Sequence, residues 1–152
     1  MRDPVLSAAE RAFTETARRA VLTTIAPDGR PRPVPICFAL DPRRPVLYTP
    51  LDDKPKTTSD PLRLARVTDI LADPRVVVLV DRWDEDWNRL AWVRILGQAS
   101  LLQPDADPGE HADVVATLRA RYAQYATHDL ETRPIIRIAI EHTTSWGALD
   151  PS

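Results

Sequence analysis

Stretches of strand character come in consecutive groups along this 152-residue chain, three, then two, then one, with helical stretches between the groups. Ala20-Val21-Leu22-Thr23-Thr24-Ile25 is rich in branched residues, and after the turn Pro27-Asp28-Gly29-Arg30 a second extended run covers Arg32 to Leu40. Two such runs around an Asp-Gly turn read as a β-hairpin. Pro31, Pro33 and Pro35 alternate in the second run, so three backbone donors are missing on one side, which suits a sheet edge. Val46 to Thr49 forms a short third strand after the turn Asp41-Pro42-Arg43-Arg44-Pro45. Val76 to Val80 is almost continuously apolar, as expected of a strand covered on both sides. A long strand follows from Leu90 to Leu102, with Val93, Ile95, Ala99 and Leu101 on one face and Trp92, Arg94, Leu96 and Gln98 on the other. The last strand is expected from Ile135 to Glu141, with Ile136, Ile138 and Ile140 inward.

Three helices separate these groups. Leu6 to Arg19 opens with Ser7 and Glu10 at capping-box spacing and carries Phe13 and Ala17 on one face. Leu62 to Ala72 ends at Asp73-Pro74. His111 to Tyr125 places Val115, Leu118, Tyr122 and Tyr125 on one stripe. Meander-like strand groups with helices between them predict an α+β chain that is mainly β: a split antiparallel barrel with helices outside, not a doubly wound fold. The length fits one domain spanning residues 1–152.

Composition narrows the function classes. A formal charge of -2 argues against coating nucleic acid or an anionic membrane. No apolar run approaches the roughly 20 residues that a membrane helix needs, and the charged N-terminus is not a signal peptide, so a cytoplasmic location is expected. Cys37 is the single cysteine and reads as a small buried hydrophobe. His111, His128 and His142 form no ligand pattern and read as surface or helix-end residues. Asp84, Glu85 and Asp86 read as a solvated loop, and of the four tryptophans Trp92 reads as packing, with Trp83 or Trp87 exposed. Neither a nucleophile triad nor a carboxylate pair can be argued from spacing, so no catalytic side chain and no metal site is expected.

Glycine occurs only at 29, 97, 109 and 147, which excludes a GxGxxG turn and a P-loop; a bound phosphate would be held by side chains. The chain's only lysines, Lys54 and Lys56, lie in Asp52-Asp53-Lys54-Pro55-Lys56-Thr57-Thr58-Ser59. In extended backbone they project to one side, with Pro55 stiffening the segment and three hydroxyls behind. A phosphate site and a charge-balanced solvated loop both satisfy these residues; read alone, they fit the loop slightly better. Arg137 stands among isoleucines, facing away from Ile136 and Ile138, either as a surface arginine or as an interface arginine reaching an anion.

Across nearly its whole length the chain resembles the pyridoxamine 5'-phosphate oxidase-like split β-barrel family, and within it the deazaflavin (coenzyme F420)-dependent branch. The carrying segments are Ala20 to Pro31, Pro33 to Phe38, Val46 to Thr49 with Lys54 and Lys56, Leu71-Ala72-Asp73-Pro74-Arg75-Val76, Asp84-Glu85-Asp86-Trp87 with Trp92-Val93-Arg94, and Arg137-Ile138 with Trp146. The resemblance implies a homodimer with two coenzyme sites in the cleft between subunits. It implies hydride transfer from reduced F420 to a small electron-poor organic substrate, with FMN as the alternative cofactor and a non-catalytic carrier or sensor as the alternative role. The coenzyme contacts it implies fall on Pro33, Thr49, Lys54, Lys56, Thr57, Arg137 and Trp146. The chain is expected to be too short for pyridoxamine-phosphate oxidase activity itself.

Overall fold

A computed structural model describes residues 4–51 and 64–150. The order is α1 (Ala8–Thr16), β1 (Ala20–Ile25), β2 (Pro31–Ile36), β3 (Ala39–Leu40), β4 (Val46–Pro50), α2 (Ala65–Ala72), β5 (Arg75–Arg82), β6 (Ala91–Leu102), α3 (Pro108–Arg121) and β7 (Ile135–Gly147). All strand pairs are antiparallel, in the order β2-β1-β5-β6-β7-β4-β3. The sheet curls into a split barrel with the three helices at its periphery, as the grouping of strands predicts. Its inner face holds the main core, including Leu22, Phe38, Leu47, Val78, Val93, Ile95, Ile136 and Ile138. A second cluster lies under α3, where Val114, Val115 and Leu118 pack with Tyr48, Leu102 and Ile135.

Local chemistry accounts for the element ends. Ser7 Oγ accepts from the Glu10 N–H at 3.0 Å, and Glu10 Oε1 accepts from the Ser7 N–H at 2.9 Å, so the capping box forms in both directions. Gly29, at φ 85°, closes the β1–β2 turn in the left-handed region open to glycine. The proline-bearing β2 is an edge strand, where missing donors cost no ladder bond.

Two expectations are corrected. The run Arg32 to Leu40 is two strands, and they lie on opposite edges of the sheet. Residues 37 and 38 carry the chain between those edges, where no ladder serves their backbone. Tyr122, just past α3, takes over: its hydroxyl accepts from the Phe38 N–H at 3.1 Å and lies 3.1 Å from the Phe38 carbonyl. Arg121 lies 4.9 Å over the Phe38 ring. The last strand runs on to Gly147, past a bulge opposite Leu96 and Gly97. Leu96 pairs with His142 and Gly97 with Ile140, so Glu141 is the additional residue and inward-facing parity changes from even to odd positions. Thr143 consequently faces inward and donates to Glu10 Oε1 at 3.0 Å, tying α1 to the far half of β7. His111 takes the helix-end place among the two expected, in the first turn of α3, and is buried there, with Nε2–H directed at the Arg133 carbonyl at 2.7 Å.

The bulge divides the outside of the barrel in two. Beyond it towards Leu102 and Ile135, α3 covers the strands. Towards Ala91 and Gly147, β5, β6 and β7 have no helix over them among the described residues, and β5 departs from expectation: Val76, Val78 and Val80 are buried, whereas Val77 is half-buried and Leu79 is 38% exposed.

Candidate functional site

On this uncovered outer face the strand registers line up three cross-strand rows. Pro33, Thr23, Val77, Leu96 and His142 form the first; Pro35, Val21, Leu79, Arg94 and Thr144 form the second; Asp81, Trp92 and Trp146 form the third. The first two rows are apolar or weakly polar except for Arg94 and His142. A hollow of about 500 Å³ is lined by Thr23, Val77, Leu79, Trp92 and Arg94. A second, of about 360 Å³, shares Thr23 and Val77 and reaches Pro31, Gly97 and Glu141. Trp83, Trp87 and Trp146 are 66%, 70% and 54% exposed, so large aromatic side chains are presented to solvent at the Trp92 end of this face. Arg94 lies 4.8 Å from the centre of the Trp92 ring, a cation–π distance.

Another hollow lies elsewhere. About 750 Å³ in volume, it sits between the β3–β4 turn and α3, beside Asp41, Arg44, Tyr48 and Glu110. These groups satisfy one another. Tyr48 donates to Glu110 at 2.7 Å, Arg44 donates to Glu110 at 2.9 Å and to Asp41 at 3.2 Å, and Arg137 donates to Glu110 at 2.9 Å. Burial raises the Tyr48 pKa, helped by the Glu110 hydrogen bond and charge. Burial acts to raise Glu110 as well, but hydrogen bonds from Tyr48 and Arg44 and the charges of Arg137 and Arg44 outweigh it and leave its carboxyl below the usual value. This set of partners fastens α3 to β4 and β7 and leaves Nη2 and Nε of Arg137 without a partner among the described residues.

Of the residues expected at a coenzyme, the structure describes Pro33, Thr49, Arg137 and Trp146, which lie in different parts of the fold. Pro33 is exposed in the first cross-strand row, and Trp146 opposes Trp92 in the third. Trp146 faces out because of the Glu141 bulge; unbroken alternation from Ile136, Ile138 and Ile140 would have turned it inward. Thr49 is 1% exposed, on the inner side of β4. Arg137 faces away from the isoleucines as expected, but beneath α3 and against Glu110, with no partner among the described residues at Nη2 or Nε. Lys54, Lys56 and Thr57 lie outside the described residues. Sequence reading placed Arg94 on its face without a role; the available signal was a charge set between Trp92 and Leu96 on the outward side of β6.

Among the described residues, no group of three or more potential metal ligands occurs, and no helix is long and apolar enough to cross a membrane. The Asp84–Asp86 loop is self-satisfied: Asp84 accepts from the Asp86 N–H at 2.8 Å and pairs with Arg89 at 3.0 Å. Cys37 is half-buried against the cluster under α3.

A buried carboxylate marks the other end of the barrel. Asp69 on α2 is 1% exposed, accepts from Thr24 at 2.7 Å and pairs with Arg32 Nε at 3.0 Å. Its second oxygen has no hydrogen-bond partner among the described residues. This set joins α2 to β1 and β2 from the inner side.

The split barrel is shared with proteins of known structure. A conserved hypothetical protein, Rv2991 from Mycobacterium tuberculosis, superposes with a TM-score of 0.71 at 23% identity, covering 97% of this chain and 88% of that one. An F420 reductase gives 0.63 at 22% identity, covering 88% and 94%. A FAD-binding protein from Mesorhizobium loti gives 0.61 at 22% identity, covering 92% and 94%. At these identities the likeness is one of fold. No curated protein sequence matches the chain. Residues 6–147 match the family model described as pyridoxamine 5'-phosphate oxidase. With nearly the whole barrel inside that match, the chain belongs to the pyridoxamine 5'-phosphate oxidase family.

Proposed function

We propose that the protein is an oxidoreductase that uses reduced deazaflavin coenzyme F420 to reduce a small electron-poor organic substrate, and that it works as a homodimer with the coenzyme between subunits. One observation carries the reading: the apolar outer face of β1, β5 and β6 is left uncovered by the described residues, with hollows over it. A strand as apolar as Val76–Val80 is typical of burial on both faces, so a second copy together with a planar ring accounts for the missing cover. Family membership is consistent with this, and an F420 reductase shares the fold.

When bound, the coenzyme supplies the hydride; the chain supplies binding, orientation and exclusion of water. Pro33 and Trp146 would border the ring. Lys54, Lys56 and Thr57, outside the described residues, would hold its phosphate by charge-assisted hydrogen bonds. Arg137 would reach an anion through Nη2 and Nε while Glu110 keeps Nη1; Thr49, on the inner side of β4, would support the strand without touching the coenzyme. FMN offers the same ring-and-phosphate chemistry and is the alternative cofactor.

Titration of the purified protein with F420 and with FMN at one salt concentration tests the choice. Tighter binding of F420, with oxidation of reduced F420 by members of a substrate panel, is the expected result. Tenfold tighter binding of FMN reverses the cofactor, and binding without turnover leaves a carrier. Lys56→Ala should weaken coenzyme binding by about one to two powers of ten without altering the melting temperature. Light scattering that returns a monomer at micromolar concentration removes the shared-cleft arrangement.

A further inference from the structure

We infer that Arg94 and Trp92 form a recognition site for an aromatic substrate that carries a carboxylate or a similar planar anion; this names the substrate class of the proposed site and so rests on the oxidoreductase reading. Arg94 projects from the middle of the uncovered face. Across the strands its neighbours are Leu79 and Thr144, and along β6 they are Trp92 and Leu96. Among the described residues no carboxylate or carbonyl oxygen holds its guanidinium, whose contact is the Trp92 ring at 4.8 Å. Arg137 on the adjacent strand shows the alternative the fold can build, a guanidinium 2.9 Å from a carboxylate.

The surroundings define what fits. Thr23, Val77 and Leu79 form an apolar floor in a hollow of about 500 Å³, large enough for a single ring system. The indole orients the guanidinium, and a planar fork of donors matches the two oxygens of a carboxylate. Filling the hollow removes water from Arg94, and a desolvated cation is costly unless the incoming molecule brings a negative charge. A ring with an anionic substituent meets both demands, whereas its uncharged analogue meets only one. The competing occupant is Asp81 from a second copy, since Asp81 lies one row away on the same face.

Calorimetric titration with 4-nitrobenzoate and with the uncharged 4-nitrobenzamide separates these cases, using the full chain and its Arg94→Gln and Arg94→Lys variants. The expected result is at least tenfold tighter binding of the acid by the unaltered protein. Arg94→Gln should abolish that preference and leave amide binding within twofold, and Arg94→Lys should keep part of it. F420 affinity and the oligomeric state of Arg94→Gln should match the unaltered protein. Equal binding of acid and amide by the unaltered protein overturns the inference. Dissociation of Arg94→Gln into monomers also overturns it and assigns Arg94 to the contact between copies; loss of F420 binding alone overturns it by assigning Arg94 to the coenzyme. If the unaltered protein discriminates acid from amide but binds neither F420 nor FMN, the anion site stands and the oxidoreductase reading falls.

Discussion

Arg137 and Arg94 project from neighbouring strands of one barrel, and the chain treats them in opposite ways. Beneath α3, Arg137 joins Glu110, Tyr48, Arg44 and Asp41 in a set in which each charge has an opposite partner. On the uncovered face, Arg94 has an indole and no acid among the described residues. The first surface is finished by the protein's own helix. The second is finished only if something else arrives, and a cation left against apolar side chains constrains what that is.

The boundary between the two surfaces is the most sensitive place to test this contrast. A Cβ at Gly97 would lie 2.4 Å from the Ala139 carbonyl oxygen and 2.8 Å from Ile138 Cγ2. Gly97→Ala must therefore push β6 and β7 apart at the bulge, and a destabilisation of about 3 kcal/mol is expected in urea unfolding. An unchanged midpoint would mean that the strands separate freely there, and the division into two surfaces would lose its basis.

Glu110 is next in size, because it is the shared acceptor for three donors. Glu110→Ala should cost about 2 kcal/mol by leaving the half-buried Arg137 and the Tyr48 hydroxyl without their acceptor. The pH dependence follows from its lowered pKa. A depressed carboxyl contributes stability that is present above its ordinary value of 4.5 and is lost as pH falls through the lower folded value. Thermal melts of the unaltered protein should fall below about pH 4.5, and Glu110→Gln should fall less steeply. Asp41, also lowered, by hydrogen bonds from Arg43 and Arg44 that outweigh its burial, accounts for part of the remaining slope. Identical acid profiles would show that the set under α3 contributes no stability through charge.

The two arginines themselves give the smallest effects and the most direct comparison. Arg137→Gln should lower stability by about 1 kcal/mol, since a partly buried ion pair is lost. Arg94→Gln should leave folding within about 0.5 kcal/mol of the unaltered chain, because no acidic partner among the described residues is removed. If Arg94→Gln proves the more damaging of the two to folding of the single chain, the contrast between a finished and an unfinished surface is wrong.

Short-range features were open to reading from residue order alone. The Ser7–Glu10 cap, the Asp28-Gly29 hairpin and the helix stop at Asp73-Pro74 depend on atoms within a few residues of each other, and each forms as expected. Alternating prolines marked β2 as an edge because a missing donor is a property of the residue itself. Likewise the grouping of strands led to an antiparallel split barrel, since consecutive strands joined by short turns pair with one another. The outward position of Arg137 also follows from period-two alternation.

What only the tertiary structure decided involves partners far apart in the chain. The run Arg32 to Leu40 breaks at Phe38 because Tyr122, 84 residues on, supplies the backbone's hydrogen bonds. Trp146 turns outward because the Leu96–Gly97 step of β6 meets an additional residue in β7, and local alternation cannot register a bulge set by the opposing strand. His111 is buried because the Arg133 carbonyl meets it there. Whether an arginine finds an acid follows the same rule: Glu110 reaches Arg137 because α3 folds over that end of the sheet, and no described helix folds over Arg94. Residue order determines which groups are charged, apolar or able to turn, since those are properties of side chains and short backbone segments. Which of those groups meet is determined by the register and curl of a seven-stranded sheet, and so exists only once the whole sheet has closed.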